Sequence, residues 1–109
     1  MATKDPREPF TRISVDEAKE MITGGAAVID VREPHEYTAG HVPGATLIPV
    51  NTVYKRREEL PQDQDVIFVC AIGQRSALGA EMAAASGLTR LFNLEGGTEA
   101  WIKSGQTVE

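Results

Sequence analysis

One cysteine, Cys70, stands where a nucleophile is expected in an α/β protein. The apolar run at residues 66–69 predicts a buried strand that ends at Cys70, and the alanine-rich segment from about residue 75 to 86 predicts a helix. Ligands of open parallel sheets bind at the carboxyl ends of the strands. A thiol there lies beside the amino end of a helix, whose free N–H groups and dipole stabilise an anion. The sequence therefore predicts a reactive thiolate at Cys70.

The loop that follows Cys70 is suited to binding an anion. Gly73 can turn its backbone N–H inward because no Cβ obstructs it, and Arg75 adds a fixed positive charge. The alternative is that Cys70 is a small buried hydrophobic residue at the end of an apolar strand. Glycine, glutamine and arginine in the loop favour catalysis over simple burial. The candidate substrate-binding or anion-binding residues are Ala71, Ile72, Gly73, Gln74, Arg75 and Ser76.

Composition and charge exclude several function classes. The 109 residues are enough for one domain, and the net charge of −5 argues against nucleic acid as the main partner. No apolar stretch is long enough to span a bilayer. Residues 1–9 are polar, so we expect a flexible leader rather than a secretory signal. A single cysteine suits a reducing compartment, and we expect the cytoplasm. Spacing predicts no metal site among His35, His41 and Cys70.

The remaining elements alternate between strands and helices. Ser14 and Glu17 form a predicted capping box that starts a helix, and Gly24 ends that helix. This alternation predicts a parallel sheet covered on both faces. Strands are expected at residues 10–13, 26–31, 46–50, 66–69 and 89–94, and the other helical segments near residues 34–37, 53–60, 75–86 and 101.

Charged residues at the end of the strand at residues 26–31 are further candidates. Asp30 is expected to form a salt bridge with Arg32 that fixes the next turn. Arg32 and Glu33 are candidates for the rim of the pocket, since both follow a strand's carboxyl end. His41 is expected to be a structural turn residue, hydrogen-bonded to backbone.

Four segments together resemble one family. Residues 28–33 (VIDVRE) and 40–45 (GHVPGA) resemble the first half of a rhodanese domain, residues 70–76 (CAIGQRS) its active-site loop, and residues 95–101 (EGGTEAW) its closing motif. They occur in the family's order over about residues 13–108.

The resemblance implies an open parallel sheet of about five strands with helices on both faces, formed by residues 10–109. It implies a sulfurtransferase in which Cys70 carries sulfane sulfur as a persulfide, without a cofactor. The donor would be thiosulfate or, in better agreement with the loop, a less charged or protein-bound persulfide, and the acceptor a thiol compound or cyanide. Backbone N–H groups of residues 71–75 would stabilise the persulfide.

Loop length and loop composition separate related chemistries. Four residues lie between Cys70 and Arg75, whereas cysteine phosphatases that resemble rhodaneses have one more, so phosphatase or arsenate-reductase activity is disfavoured. Members of the family that favour thiosulfate often have a basic residue directly after the cysteine, whereas this chain has Ala71 and then Ile72, which predicts weak use of that dianion. The other alternative is a non-catalytic binding module, which usually lacks the cysteine.

Overall fold

A six-stranded sheet organises the computed structural model, which describes residues 2–109. The strand order is β1-β2-β6-β5-β3-β4. Only the edge pair β1–β2 is antiparallel among the described strands, and the other neighbours are parallel. The predicted α/β architecture is thus confirmed, with one added edge strand. The strands are β1 (Thr3–Lys4), β2 (Thr11–Ile13), β3 (Ala27–Asp30), β4 (Thr46–Leu47), β5 (Val66–Val69) and β6 (Leu91–Leu94).

Helices cover both faces of this sheet. The helices are α1 (Val15–Thr23), α2 (Pro34–Ala39), α3 (Gln74–Ala85) and α4 (Gly97–Lys103). Alternate residues of β5 point to opposite faces. Val66 and Phe68 belong to one hydrophobic cluster with Ala80 and Ala83 of α3. The other face packs Ile67 and Val69 of β5 against Ala18 of α1 and Trp101 of α4.

The start of α1 confirms the predicted capping box. Ser14 Oγ accepts a hydrogen bond from the Glu17 N–H at 3.2 Å, and Glu17 Oε1 accepts one from the Ser14 N–H at 2.9 Å. Both bonds satisfy N–H groups that the first turn of a helix leaves free. The sequence signal therefore fixes where this helix begins.

The helix predicted for residues 53–60 is wrong. The structure has two short 3-10 turns there instead, Val50–Thr52 and Arg57–Glu59, closed by bonds such as Leu60 N–H to Arg57 O at 3.2 Å. Tyr54 is half exposed. A short helix with much of its surface in water gains too little from packing to offset the free-energy cost of nucleation, whereas 3-10 turns suit short connections.

Part of the predicted leader is a strand. Thr3 and Lys4 pair with Arg12 and Thr11, so β1 extends the sheet at the β2 edge. Residues 1–9 contain no apolar alternation, and the pairing rests on backbone hydrogen bonds that side-chain patterns do not reveal. Flexibility of this segment in solution stays a prediction.

Candidate functional site

Cys70 follows β5 directly, at the carboxyl end of a central strand. In the sheet order β5 lies between β6 and β3, and both pair with it in parallel. Residues 70–73 connect β5 to α3, whose N-cap is Gly73. The predicted strand, loop and helix are therefore observed, with α3 starting within a residue of the predicted position. Cys70 is 1% exposed and belongs to the hydrophobic cluster on the α3 face.

The Cys70 sulfur nevertheless has polar neighbours. The Gly73 N–H donates a hydrogen bond to Cys70 Sγ at 3.0 Å, and Ser76 Oγ lies 3.4 Å from the same sulfur. Gly73 has φ +103°, a left-handed conformation that glycine adopts without strain. The inward turn expected of this glycine is thus what brings its N–H to the sulfur. Simple hydrophobic burial does not describe such a thiol.

These neighbours change the proton affinity of the thiol. Burial raises the pKa of Cys70, but hydrogen bonding with the Ser76 side chain and with the backbone at Ser76, Gly73 and Ile72 lowers it. The net effect holds the pKa of the Cys70 thiol below its ordinary value. Thiolate is the nucleophilic form, so the surroundings favour reactivity.

A buried asparagine on β6 completes the loop's hydrogen bonding. Ser76 Oγ donates to Asn93 Oδ1, and Asn93 Nδ2 donates to Gly73 O at 3.2 Å. Ser76 and Asn93 are both fully buried. The sequence analysis missed Asn93, although an amide within the apolar strand Leu91–Leu94 was a usable signal, because a buried polar side chain requires partners.

Arg75 is held by an acid that the sequence analysis also missed. Its guanidinium donates two hydrogen bonds to the Glu36 carboxylate, at 2.7 and 2.9 Å. The hydrogen bonds from Arg75 lower the pKa of Glu36 to about 2, so the pair is fully charged at neutral pH. The positive charge expected to face the sulfur is therefore largely balanced within the protein. Glu36 comes from α2, two residues after Pro34.

Arg32, one of the two residues proposed for the pocket rim, lines a cleft beside the loop that follows Cys70. Arg32 is buried in the predicted pair with Asp30, at 2.7 Å, and also donates to Gly40 O at 2.8 Å. It lines a cleft of about 290 Å³ together with Glu36, Ala71 and Thr98, which we call the Thr98 cleft. The exposed Glu33 side chain is not among the lining residues.

A second opening also borders the loop. It has a volume of about 470 Å³ and is lined in part by Ile72 and Ile102, which are 51% and 52% exposed. We call it the Ile72 cleft. Glu99 and Ile102 line both clefts, so the two are neighbours. Gln74, the remaining predicted loop residue, is exposed at the first position of α3.

The amino end of α4 is hydrogen-bonded to the start of the loop at Cys70 and Ala71. The N–H groups of Thr98 and Glu99 donate to Cys70 O and Ala71 O, at 2.8 and 3.1 Å. Gly97 is required at this contact, since its φ is +61° and a Cβ would lie 2.4 Å from Cys70 O. The closing motif of the sequence therefore positions the reactive loop.

Thr98 has a further property. Its Oγ1 is buried and has no hydrogen-bond partner among residues 2–109. Unpaired buried hydroxyls are uncommon in proteins and are costly without a partner. Because Thr98 lines a cleft beside Ala71, a bound molecule could supply that partner.

His41 is hydrogen-bonded to backbone, as expected. Its ring stacks on Tyr37 with a centroid separation of 3.7 Å, and its Nδ1 lies 2.8 Å from Tyr37 O. Within the described part of the chain, no three His, Cys, Asp or Glu side chains are grouped so as to hold a metal ion. The helices described there are also too short or too polar to cross a membrane.

Known proteins are similar to this chain in overall sequence or in fold. A relative in Bacillus subtilis, "Uncharacterized protein YqhL", is 38% identical over 76 residues, which is 70% of this chain and 60% of that protein. "Thiosulfate sulfurtransferase GlpE" of Pseudomonas entomophila is 33% identical over 92 residues, 84% of each chain. A rhodanese-related protein from Thermoplasma volcanium has a crystal structure that superposes with a TM-score of 0.83 at 32% identity. The superposed region covers 90% of this chain and 96% of the Thermoplasma volcanium protein.

The family comparison covers most of the chain. The model of the rhodanese-like domain matches residues 14–104, which include the reactive loop, both clefts and the start of α4. The four motifs that suggested the resemblance all lie within this match. The chain belongs to the rhodanese-like domain family.

Proposed function

We propose that this protein is a sulfurtransferase that carries sulfane sulfur as a persulfide on Cys70. The observation that supports this most directly is the position of Cys70 Sγ, 3.0 Å from the Gly73 N–H at the carboxyl end of β5. The lowered pKa of Cys70 provides the thiolate that the first step needs. Relatives named as sulfurtransferases support the same reaction class.

The reaction has two steps. The Cys70 thiolate attacks the outer sulfur of the donor, so an S–S bond forms while the donor's own bond to that sulfur breaks. The leaving group departs with the electron pair, as sulfite from thiosulfate or as a thiolate from a persulfide. An acceptor nucleophile then takes the outer sulfur, and Cys70 leaves as thiolate, giving ping-pong kinetics. A low thiol pKa assists this departure, because stable thiolates are better leaving groups.

Charge around the loop bears on the donor. Arg75 is paired with Glu36 and Arg32 with Asp30, so neither guanidinium offers an unbalanced charge to a dianion. Glu99 lines both clefts, and Ile72 presents an apolar side chain beside the loop. We propose a less charged persulfide, small or carried by a protein, as the donor in preference to thiosulfate.

Steady-state kinetics test both parts of the proposal. The kcat/KM values for thiosulfate and glutathione persulfide are measured with cyanide as acceptor, for the wild type and Cys70→Ser. We expect turnover with the persulfide, a lower kcat/KM with thiosulfate, and background rates for the variant. A strong thiosulfate preference would contradict the donor assignment, and an active Cys70→Ser would contradict the reaction itself.

A further inference from the structure

Asn93 is an unusual residue for the centre of a parallel sheet. It lies on β6, where its neighbours Phe92 and Leu94 are apolar, and it is fully buried. A buried amide is tolerated only when its hydrogen-bonding groups have partners. Both partners of Asn93, Ser76 and Gly73, are also hydrogen-bonded to the Cys70 sulfur. The four residues thus form a closed ring of hydrogen bonds.

The direction of each bond in this ring follows from donor chemistry. Gly73 O can only accept, so the NH₂ group of Asn93 must face it and Oδ1 must face Ser76. Ser76 has one hydroxyl proton and donates it to Asn93 Oδ1. Its oxygen therefore has only lone pairs for Cys70, so in the resting ring the thiol S–H donates to Ser76 Oγ.

Loss of the Cys70 proton upsets this arrangement. A thiolate facing a Ser76 lone pair is repelled, whereas a thiolate facing the Ser76 O–H is stabilised. To stabilise the thiolate, the hydroxyl must turn away from Asn93. Asn93 therefore competes with the sulfur for the Ser76 proton. Its bond to Gly73 O at the same time anchors Gly73, whose N–H, in the preceding peptide unit, faces the sulfur.

We propose that Asn93 is a positioning residue that sets how readily Cys70 gives up its proton, by directing the Ser76 hydroxyl and the Gly73 peptide. Its two effects have opposite signs. The Gly73 bond favours thiolate, because it holds in place the residue whose N–H donates to Sγ. The Ser76 bond disfavours thiolate, because it occupies the hydroxyl proton. This inference rests on Cys70 being the sulfur carrier, but its readout does not require sulfur transfer.

A double-mutant cycle separates the two effects. The pKa of Cys70 is measured from the pH dependence of iodoacetamide alkylation in the wild type, Ser76→Ala, Asn93→Leu and the double variant. Ser76→Ala should raise the pKa. Asn93→Leu should raise it in the Ser76→Ala protein, where only the Gly73 bond is lost, and raise it less when Ser76 is present. Each effect should be roughly half a pH unit or more, as expected for one hydrogen bond.

The results divide cleanly. Equal shifts from Asn93→Leu in both backgrounds would overturn the competition for the Ser76 proton. No shift in the Ser76→Ala background would overturn the role of the Gly73 bond. Ser86→Ala is the matched control, since Ser86 caps the far end of α3 and donates to Met82 O at 3.1 Å. It should leave the alkylation profile unchanged.

Charged groups around the loop are unchanged by these variants. They are Asp30 at the end of β3, Arg32 just after it, Glu36 on α2, Arg75 on α3 and Glu99 on α4. Differences among the four proteins therefore report the hydrogen-bonded ring. If the Cys70 pKa values follow the expected double-mutant cycle but sulfur transfer fails, only the proposed function is contradicted. If sulfur transfer occurs but the pKa values do not follow the cycle, only this inference is contradicted.

A measurement on the unaltered protein covers the case in which Asn93→Leu does not fold. The side-chain amide resonances of Asn93 are followed by NMR as pH is raised. They should titrate with the same midpoint as Cys70 alkylation, because Oδ1 loses its Ser76 donor when the thiolate forms. They should not titrate in Cys70→Ser. Asn93 side-chain amide shifts that do not change around the pH midpoint of Cys70 alkylation would overturn the proposal.

Discussion

Arg75 points its guanidinium at Glu36, which accepts two hydrogen bonds from it at 2.7 and 2.9 Å. The pair joins the first turn of α3 to α2, across 39 residues of sequence. It therefore anchors the helix that begins at the reactive loop. It also removes the unbalanced positive charge that a doubly charged donor would need.

Stability should depend on this pair in a pH-dependent way. The lowered pKa of Glu36, about 2, means that its contribution is present above the ordinary carboxyl range and is lost as pH falls towards 2. Both side chains are partly exposed, so Glu36→Gln should cost about 1 kcal/mol of unfolding free energy at pH 7. Urea denaturation should show this difference shrinking between about pH 5 and pH 2.

The exposed Glu58 supplies the control for this experiment. Glu58→Gln should change the free energy of unfolding by only a few tenths of a kcal/mol, as surface substitutions usually do. A Glu36→Gln cost that persists unchanged down to pH 2 would show that the ion pair is not its source.

A positive charge placed in the loop should improve the use of thiosulfate. Ile72 is half exposed beside Gly73, so Ile72→Lys adds an ammonium group near the bound dianion at little cost in packing. About 1.4 kcal/mol of added attraction corresponds to roughly tenfold in kcat/KM for thiosulfate. The gain should fall as salt is raised, because exposed charges are screened.

Leu78→Lys is the matched control for the charge effect. Leu78 is 45% exposed on α3 and lines neither cleft. It adds the same net charge at a distance from the donor. An equal gain from Leu78→Lys would mean that the overall charge of the protein, rather than the loop, limits thiosulfate use.

The contact between Gly97 and Cys70 O predicts a stability difference between two glycines. In Gly97→Ala the alanine must adopt a left-handed conformation, which costs about 1–2 kcal/mol of unfolding free energy. Its Cβ would also lie 2.4 Å from Cys70 O. Gly105 has φ +88° and no atom within 4 Å of the position that a Cβ would take, so Gly105→Ala has the conformational cost without a steric clash. Chemical denaturation should show the larger loss for Gly97→Ala, together with slower sulfur transfer. Equal losses would mean that the α4 contact is not tight.

Thr98→Val tests the unpartnered hydroxyl. Because Thr98 Oγ1 has no hydrogen-bond partner within the described residues, removing it should leave the free energy of unfolding unchanged or slightly higher. If the donor supplies the missing partner, kcat/KM should fall several-fold, as expected for one hydrogen bond of about 1 kcal/mol. Unchanged kinetics together with a loss of stability would place the role of this hydroxyl in folding alone.

Local patterns were sufficient for part of this account. The position of Cys70 after an apolar strand, the Ser14–Glu17 capping box and the Asp30–Arg32 pair all involve residues close in sequence. Spacing can reveal such features because the backbone alone brings the groups together.

Features that depend on packing were not predicted. Glu36 of α2 contacts Arg75 of α3, and Asn93 of β6 contacts Ser76 of α3, 17 residues away. Neither partner is fixed by its own local sequence. A helix was predicted for residues 53–60, but the structure has 3-10 turns at residues 50–59. Periodicity alone does not show whether a short segment gains enough from packing to offset the cost of helix nucleation.

The central claim is that Cys70 carries the transferred sulfur, and intact-mass spectrometry tests it most directly. The protein is incubated with glutathione persulfide, freed of excess donor and measured before and after addition of a reductant. We predict the mass of one added sulfur atom on the wild type, its removal by the reductant, and no adduct on Cys70→Ser. No adduct on the wild type with any sulfane donor, or an equal adduct on Cys70→Ser, would contradict the account.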